Sequence, residues 1–504
     1  MRSRLASSAF QLIRRIEFFC RDKRINLEIV SAKPIVIKFG GTSVGDTRAF
    51  ERVREIVRAR EAERPVVIVS AMSRVTDALL ASVQMAAEDG APDAAAGALD
   101  QHFERHARVA HDLLGPRVTT GEIETAIERA RGEVLDLLRQ LAARMMPRPL
   151  LQDVIVSYGE RLSATLLAAV LRAGGVPAHY VDARRCIVTD ENYGSAAPLI
   201  EETGRRTRAE IEPLIEQQKV PVLGGFIGAS PDGATTTLGR GGSDYSAALV
   251  GAALSAREIQ IWTDVSGVLT ADPRLVPTAR PVPQLSYAEA AELAYFGAKV
   301  LHPKTIQPAV EQGIPVRICN TFAPTEAGTL ICARTATSPQ TIKSIAHKTG
   351  ITIVRVTSAR MLGEYGFLRA LFEIFERHHT VVDVVTTSEV SVSLSLDDAG
   401  SLPAVIRDLR KIGAVKVEQN RAIICLFGEE LGNTPGVAAI VFSAIHDINI
   451  SLISLGASSV NLTFMIDEGR AAEAVARLHE AFFSSSRAPA GKVKVASSSA
   501  DRSL

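Results

Sequence analysis

At 504 residues the chain is too long for one hydrophobic core and suits about two to four domains. Hydrophobic residues make up 46% and charged residues 22%, the balance of an ordinary soluble protein, and a net charge of +1 gives no electrostatic case for nucleic acid or an anionic membrane. The cysteines (Cys20, Cys186, Cys319, Cys332, Cys425) lie scattered without C-x-x-C or metal-ligand spacing, which reads as small buried hydrophobes in a reducing compartment; no apolar stretch reaches the roughly 18 to 20 residues of a membrane span.

Residues 1–33 read as an N-terminal extension. Arg2, Arg4, Arg14, Arg15, Arg21 and Arg24 among serines resemble an organelle transit peptide, but Glu17 and Asp22 interrupt it. The favoured reading is a disordered extension or a start assigned too far upstream, and a cytoplasmic protein; an organellar one is the alternative. From residue 35 strands alternate with helices, the mark of a mainly parallel α/β sheet. The strand candidates are Ile35–Phe39, Val66–Ser70, Asp153–Ser157, Ala178–Asp182, Pro221–Phe226, Glu258–Thr263 and Val316–Asn320. Between residues 85 and 147 the spacing of Leu135, Leu138 and Leu141 predicts a helical pair laid on the sheet.

The first strand ends in Lys38-Phe39-Gly40-Gly41-Thr42-Ser43, ahead of a helix predicted near Thr47. Backbone N–H groups of such a loop can face an anion, although the lysine precedes the glycines and the P-loop pattern is absent. By itself a Lys-x-Gly-Gly turn is a common turn. Ser157-Tyr158-Gly159-Glu160-Arg161-Leu162-Ser163 reads as a strand end opening a helix, with Glu160 facing the same sheet end as Lys38. Thr235-Thr236-Thr237-Leu238-Gly239-Arg240-Gly241-Gly242-Ser243-Asp244 is a second glycine-rich loop, before a helix predicted from Tyr245. Its arginine suits bidentate carboxylate binding, while Asp244 at a helix start serves equally as a cap. Trp262-Thr263-Asp264-Val265-Ser266-Gly267-Val268 with Asp272-Pro273-Arg274 suits a nucleotide, and Tyr295-Phe296-Gly297-Ala298-Lys299-Val300-Leu301-His302-Pro303 offers a further cation in Lys299.

Residues 335–350 read as a linker. Beyond it the chain repeats itself: at an offset of 70, Gly366–Asp398 matches Gly436–Glu468 without gaps. Each copy reads as glycine, helix, short strand, alternating strand and a second helix (Leu402–Ile412, Ala471–Phe482), a ferredoxin-like module. The domain reading is a catalytic domain over 34–334, modules over 351–420 and 421–485, and a disordered tail over 486–504.

Taken in order, Lys-Phe-Gly-Gly-Thr-Ser-Val, Ser-x-Gly-Glu-x-x-Ser, Thr-Leu-Gly-Arg-Gly-Gly-Ser-Asp, Trp-Thr-Asp-Val-x-Gly and Phe-Gly-Ala-Lys-Val-Leu-His-Pro resemble the aspartate kinases over about residues 34 to 485. The resemblance implies the amino-acid kinase fold followed by two ACT domains, and phosphorylation of the L-aspartate β-carboxylate by ATP with Mg²⁺ in amino-acid biosynthesis. It implies that Lys38 bridges the transferring phosphoryl group with Gly40 and Gly41, and that Asp244 holds Lys38. Thr76, Glu160, Arg240 and Ser243 are then expected to bind aspartate, and Thr263, Asp264, Arg274 and Lys299 to contact ATP; no protein side chain is assigned to the metal. Some relatives carry an aromatic where this chain has Leu269, so adenine stacking stays open.

The regulatory half resembles single-activity, lysine-sensitive members. This implies feedback by lysine at Met361, Gly366, Phe367, Leu368, Val382, Asp383 and Ser388, and a homodimer through ACT domains, with higher assembly left open. Ile453 stands where the first module has Asp383, so the second module is expected to be a structural partner. Another amino-acid kinase (for glutamate, acetylglutamate or uridylate) and a catalytically silent sensor are the alternatives. A fused homoserine dehydrogenase is not expected, since only a Ser/Ala/Lys tail follows Phe483.

Overall fold

The computed structural model of the protein describes residues 33–115, 118–296, 303–335, 341–363, 365–397 and 400–484. Lys299, residues 1–32 of the expected extension and the expected tail lie outside them. Two compact units divide the chain, one up to Trp262 and one from Thr263 on, so the expected catalytic range 34–334 spans the division.

In chain order the first unit runs β1 (Ile35–Phe39), α1 (Thr47–Arg58), β2 (Pro65–Val69), α2 (Val75–Glu88), α3 (Pro92–Gly97), α4 (Asp100–Leu114), α5 (Val118–Ala142), α6 (Arg148–Ala173), β3 (Ala178–Val181), α7 (Ile200–Glu216), β4 (Val220–Gly224), β5 (Ile227–Ala229), β6 (Thr235–Thr237), α8 (Gly242–Ala253) and β7 (Glu258–Thr263). The strand order is β3-β4-β2-β1-β7, parallel throughout, with Phe39 opposite Val69 on one side and Trp262 on the other. Every residue of β1, β2 and β4 is buried, as expected of apolar strands covered on both faces. Parallel pairing brings the loops after β1, β2 and β4 to one sheet edge, where α/β folds place ligands.

One strand expectation is overturned. Asp153–Ser157 lies inside α6, so Glu160 is a mid-helix residue and not a first-turn acid. The β-branched run Val154-Ile155-Val156 favours a strand locally, but it continues into an Ala/Leu-rich stretch buried on all sides. Tertiary burial decides over local propensity here. By length and composition this helix could cross a membrane, yet 83% of its apolar window is buried inside the protein. The expected helical pair is part of a larger helical layer, α2 to α5. On α5 the buried stripe runs Ile123, Ile127, Ala130, Val134, Leu138 and Leu141, with Leu135 at its margin.

The second unit contains β8 (Gln284–Ser286), α9 (Tyr287–Tyr295), β9 (Val316–Asn320) and β10 (Thr329–Cys332). There follow β11 (Ser344–Thr357), α10 (Phe367–Arg377), β12 (Val385–Thr387), β13 (Ser391–Leu396), α11 (Leu402–Leu409), β14 (Ala414–Phe427), α12 (Val437–Ala444), β15 (Ile450–Leu455), β16 (Asn461–Asp467) and α13 (Ala471–Phe483). A reciprocal capping box between Ser286 and Glu289 starts α9. The antiparallel sheet has the order β12-β13-β11-β14-β16-β15. The internal repeat is realised element by element, α10, β12, β13 and α11 answering to α12, β15, β16 and α13.

The strands β11 and β14 do not respect the expected boundaries. Each is 14 residues long and runs through both modules. Ser344–Lys348 pairs with Ile423–Phe427, while Ile353–Thr357 pairs with Ala414–Glu418, with the register shifting between Lys348 and Ile353. Ile345 packs with Ile424, Phe464 and Leu478 in one core, whereas Val354 and Val356 pack with Leu371, Phe375 and Val405 in another. The expected linker 335–350 is therefore strand from Ser344 on. The cause is burial: Ser344–Ala346 are all buried, although the segment before them carries loop chemistry.

Candidate active site

Alternation along β1 turns Lys38 to the opposite face from Ile37 and Phe39. Its stem is covered, with 11% of the side chain exposed, and its Nζ lies 2.7 Å from Oδ1 of Asp244. Asp244 sits in the first turn of α8, which begins at Gly242 and not at the expected Tyr245; the N-cap is Gly241, so Asp244 is free of that duty. The Gly40 N–H donates to the Trp262 carbonyl (3.1 Å), and the Ser73 N–H donates to the Gly41 carbonyl (3.2 Å). A Cβ on Gly41 would stand 2.9 Å from the Ala71 carbonyl, so only glycine lets the two loops approach this closely. After a single 3₁₀ turn, Gly41–Val44, the Asp46 carboxylate accepts from the Ala49 N–H (2.8 Å) and caps α1. The expected strand–glycine loop–helix order is thus present, with the lysine held by an acid.

Glu160 is 3% exposed, and its Oε2 has no hydrogen-bond partner among the described residues. Burial pushes its carboxyl up to about 8, only partly opposed by the Ala71 N–H. Gly224 and Gly225, at the end of β4, form a floor that the sequence reading missed. A Cβ on Gly224 would lie 3.0 Å from the Glu160 Cβ, and one on Gly225 would lie 2.7 Å from the Ser243 Cβ. A Gly-Gly pair closing a predicted strand is the signal that could have found them, as it did for Gly40 and Gly41. Thr76 stands half-buried in the first turn of α2, directly after the loop that carries Ala71 and Ser73.

Arg240 is exposed between Gly239 and Gly241, whose φ values of 72° and 74° favour glycine. Asp153 anchors the strand leading to it. Its Oδ2 accepts from the N–H groups of Gly194 (2.9 Å) and Thr237 (2.8 Å), and its Oδ1 accepts from Thr237 Oγ1 (2.9 Å). Burial raises the Asp153 carboxyl in spite of those bonds. This anchoring role stays invisible while the residue is read as part of a strand. At one sheet edge the first unit therefore gathers Lys38, Gly40, Gly41, Asp244, Glu160 and Ser243.

In the second unit Thr263 Oγ1 donates to Asp264 Oδ1 (3.1 Å), at the end of β7. Arg274 is bidentate on Asp272 (Nη2–Oδ2 2.6 Å, Nε–Oδ1 3.0 Å), with 86% of its side chain exposed. That hydrogen bonding holds the Asp272 carboxyl below its usual range. Of the expected effector residues, Met361, Phe367 and Val382 are partly buried and each packs against the core of the first module, and Gly366 is the N-cap of α10. Leu368 is exposed, and Ser388 Oγ is 2.8 Å from Ser391 Oγ in a turn. One oxygen of Asp383, Oδ1, accepts a hydrogen bond from the Tyr295 hydroxyl, while Oδ2 is buried without a partner among the described residues. Burial raises the Asp383 carboxyl, the Tyr295 bond opposes this, and the charge of Asp397 adds to it.

Comparison with known proteins agrees with this arrangement. The amino acid kinase family model matches residues 33–320, and an ACT domain model matches residues 424–482. Lysine-sensitive aspartokinase 3 of Escherichia coli is 38% identical over 457 residues, covering 89% of this chain and 99% of the relative. The crystal structure of E. coli aspartokinase III in complex with lysine and aspartate (T-state) has a TM-score of 0.75 at 37% identity, covering 89% of this chain and 99% of that one. The complex of the same E. coli enzyme with aspartate and ADP (R-state) gives 0.74 at 37%, with 90% and 100% covered. A glycine loop beside a paired lysine, a kinase sheet and two interleaved ACT modules thus coincide with 38% identity over 89% of the chain, and the chain belongs to the aspartate kinase family.

Proposed function

We propose that the sheet edge of the first unit transfers the γ-phosphoryl group of ATP to the β-carboxylate of L-aspartate, giving 4-phospho-L-aspartate. The observation that carries this reading is the Lys38–Asp244 pair beside Gly40 and Gly41, facing the same edge as a buried Glu160 whose second oxygen has no hydrogen-bond partner among the described residues. A β-carboxylate has a reference pKa of about 3.9, so it arrives ionised and needs no general base. The barrier is the approach of an anion to a triphosphate, and the remedy is fixed positive charge.

In this reading Lys38 bridges phosphoryl oxygens, Asp244 fixes its position, and the Gly40 and Gly41 backbone lies against the phosphates. Glu160 takes the α-ammonium; the arriving cation draws the proton off its carboxyl. Arg240, with Thr76 and Ser243, secures the aspartate carboxylates. Thr263, Asp264, Arg274 and Lys299 serve the nucleotide, for which Arg274 has to exchange Asp272 for a phosphate. Mg²⁺ suits the donor set, because Asp244 is already paired and a small hard cation keeps phosphate and water oxygens as ligands. When bound, it neutralises phosphate charge. Lysine is the effector, its ammonium on Asp383 and its carboxylate at the N-terminus of α10, and two chains pair through their ACT modules.

The test is Lys38→Ala, assayed by ADP release across aspartate, glutamate, acetylglutamate and uridylate, with hydroxamate trapping of the acyl phosphate formed from aspartate. The expected result is aspartate-dependent turnover in the parent and a loss of roughly a thousandfold in the variant. Near-normal turnover by a folded variant, or a preference for another acceptor, would overturn the reading.

A further inference from the structure

Tyr295 has no role in the active site described above, yet it sits on the residue assigned to the effector's ammonium. Its hydroxyl donates to Asp383 Oδ1, while Oδ2 is buried without a donor among the described residues and the Asp397 carboxyl stands close by. The other charges facing this carboxylate are Asp397 and Lys348. They are paired with each other, and the Lys348 Nζ lies 5.8 Å from the centroid of the Tyr295 ring. The ammonium of Lys348 is therefore committed to Asp397, and the phenol serves as the partner of Asp383.

The rest of α9 is fixed by contacts that do not involve Asp383. Lys343 Nζ donates to Glu289 Oε2 (2.9 Å), a pair with side-chain exposures of 5% and 0%. Asn461 Nδ2 donates to Glu292 Oε2 (2.9 Å), and the ring centroids of Phe296 and Phe427 lie 6.1 Å apart. Lys343, just before β11, thus holds the start of the helix, Asn461 of β16 its middle and Phe427 of β14 its C-cap; the Tyr295 ring packs edge-on against Phe296 (centroids 5.2 Å apart), and its hydroxyl is what reaches Asp383.

We propose that Tyr295 is an internal occupant of the amine position of the effector site: its phenol must leave Asp383 before the ammonium of an amino acid can take that carboxylate, so Tyr295 sets effector affinity and the last turn of α9 senses occupancy. The inference rests on the reading of Asp383 as the ammonium acceptor. A phenol–carboxylate bond is charge-assisted, so removing the competitor changes affinity by about tenfold or more.

The experiment is calorimetric titration of the full-length protein with lysine, for the parent and Tyr295→Phe, together with amide exchange over residues 287–296. Tyr295→Phe keeps the ring and removes only the donor. It is expected to bind lysine about tenfold tighter, and its last helical turn without lysine should exchange as fast as that of the lysine-saturated parent. Binding by the variant alone supports the proposal equally, the phenol then being a dominant competitor. If both proteins bind with equal affinity, or the variant binds more weakly, the role of Tyr295 is overturned and the effector reading stands. If neither binds lysine, both fall.

Discussion

Glu160 carries the clearest pH consequence among the residues of the site. Its folded-state carboxyl stands near 8 because burial disfavours the charged form, against 4.5 for the ordinary side chain. The folded protein without ligand therefore holds a proton that the unfolded chain releases, and stability falls as pH rises through that window. Glu160→Gln removes this loss. Its melting temperature is expected to match the parent near about pH 4 and to exceed it increasingly toward about pH 9. Over the same range aspartate-dependent turnover should drop by about a hundredfold or more, because the ammonium loses its partner. A melting difference that is flat with pH would contradict the burial argument. At this scale Lys38, Gly40, Gly41, Arg240 and Asp244 were legible in the sequence, since charge beside glycine is a local pattern. Gly224 and Gly225 form the same local glycine pair, but what they serve, like the role of Tyr295, is set by neighbours more than 15 residues away in sequence and shows only after folding.

Among the elements, α6 shows where local reading stops. The strands β1, β2, β3, β4, β7 and β9 were recoverable because apolar runs bounded by turns have few other uses. Residues 153–157 present the same signal and form a helix, because the layer around them is apolar on every side. That helix brings Glu160 against the Gly-Gly end of β4, which makes Gly225 a position to test. An alanine there sets a Cβ 2.7 Å from the Ser243 Cβ and 2.8 Å from its Cα, so the start of α8 must move. Such overpacking costs roughly 1–3 kcal/mol. Gly225→Ala is expected to lower the melting temperature by several degrees and to raise the Michaelis constant for aspartate more than that for ATP. Gly97→Ala, with nothing within 4 Å of the added methyl, is the control: it should leave the aspartate kinetics unchanged and, because alanine is the better helix former, should not lower the melting temperature. A Gly225→Ala protein with parent-like aspartate kinetics would remove Ser243 from the substrate pocket.

For the whole molecule, the sequence revealed the ACT repeat but not its interleaving, because the repeat lies in the helices and in β12, β13, β15 and β16, whereas β11 and β14 are shared. A boundary drawn at 420/421 falls inside β14, where Glu418 still pairs with Ile353 and Arg421 already pairs with Ile351. The modules therefore cannot unfold one at a time without breaking a continuous strand. Lysine held at Asp383 in the first module should stabilise the second through the same strands. Ligand that binds only the folded form adds RT ln(1 + [L]/Kd), about 2.7 kcal/mol at a hundredfold excess over Kd. In a thermal scan with rising lysine, the expected outcome is one transition for the whole regulatory half, moving up as a unit while aspartate kinase activity falls. Amide exchange should slow at Ile423–Phe427 as well as at Ile353–Thr357, although only the latter belongs to the effector's module. Two regulatory transitions of which one moves would show that β11 and β14 do not couple the modules. Absence of both inhibition and shift at millimolar lysine would remove lysine as the effector.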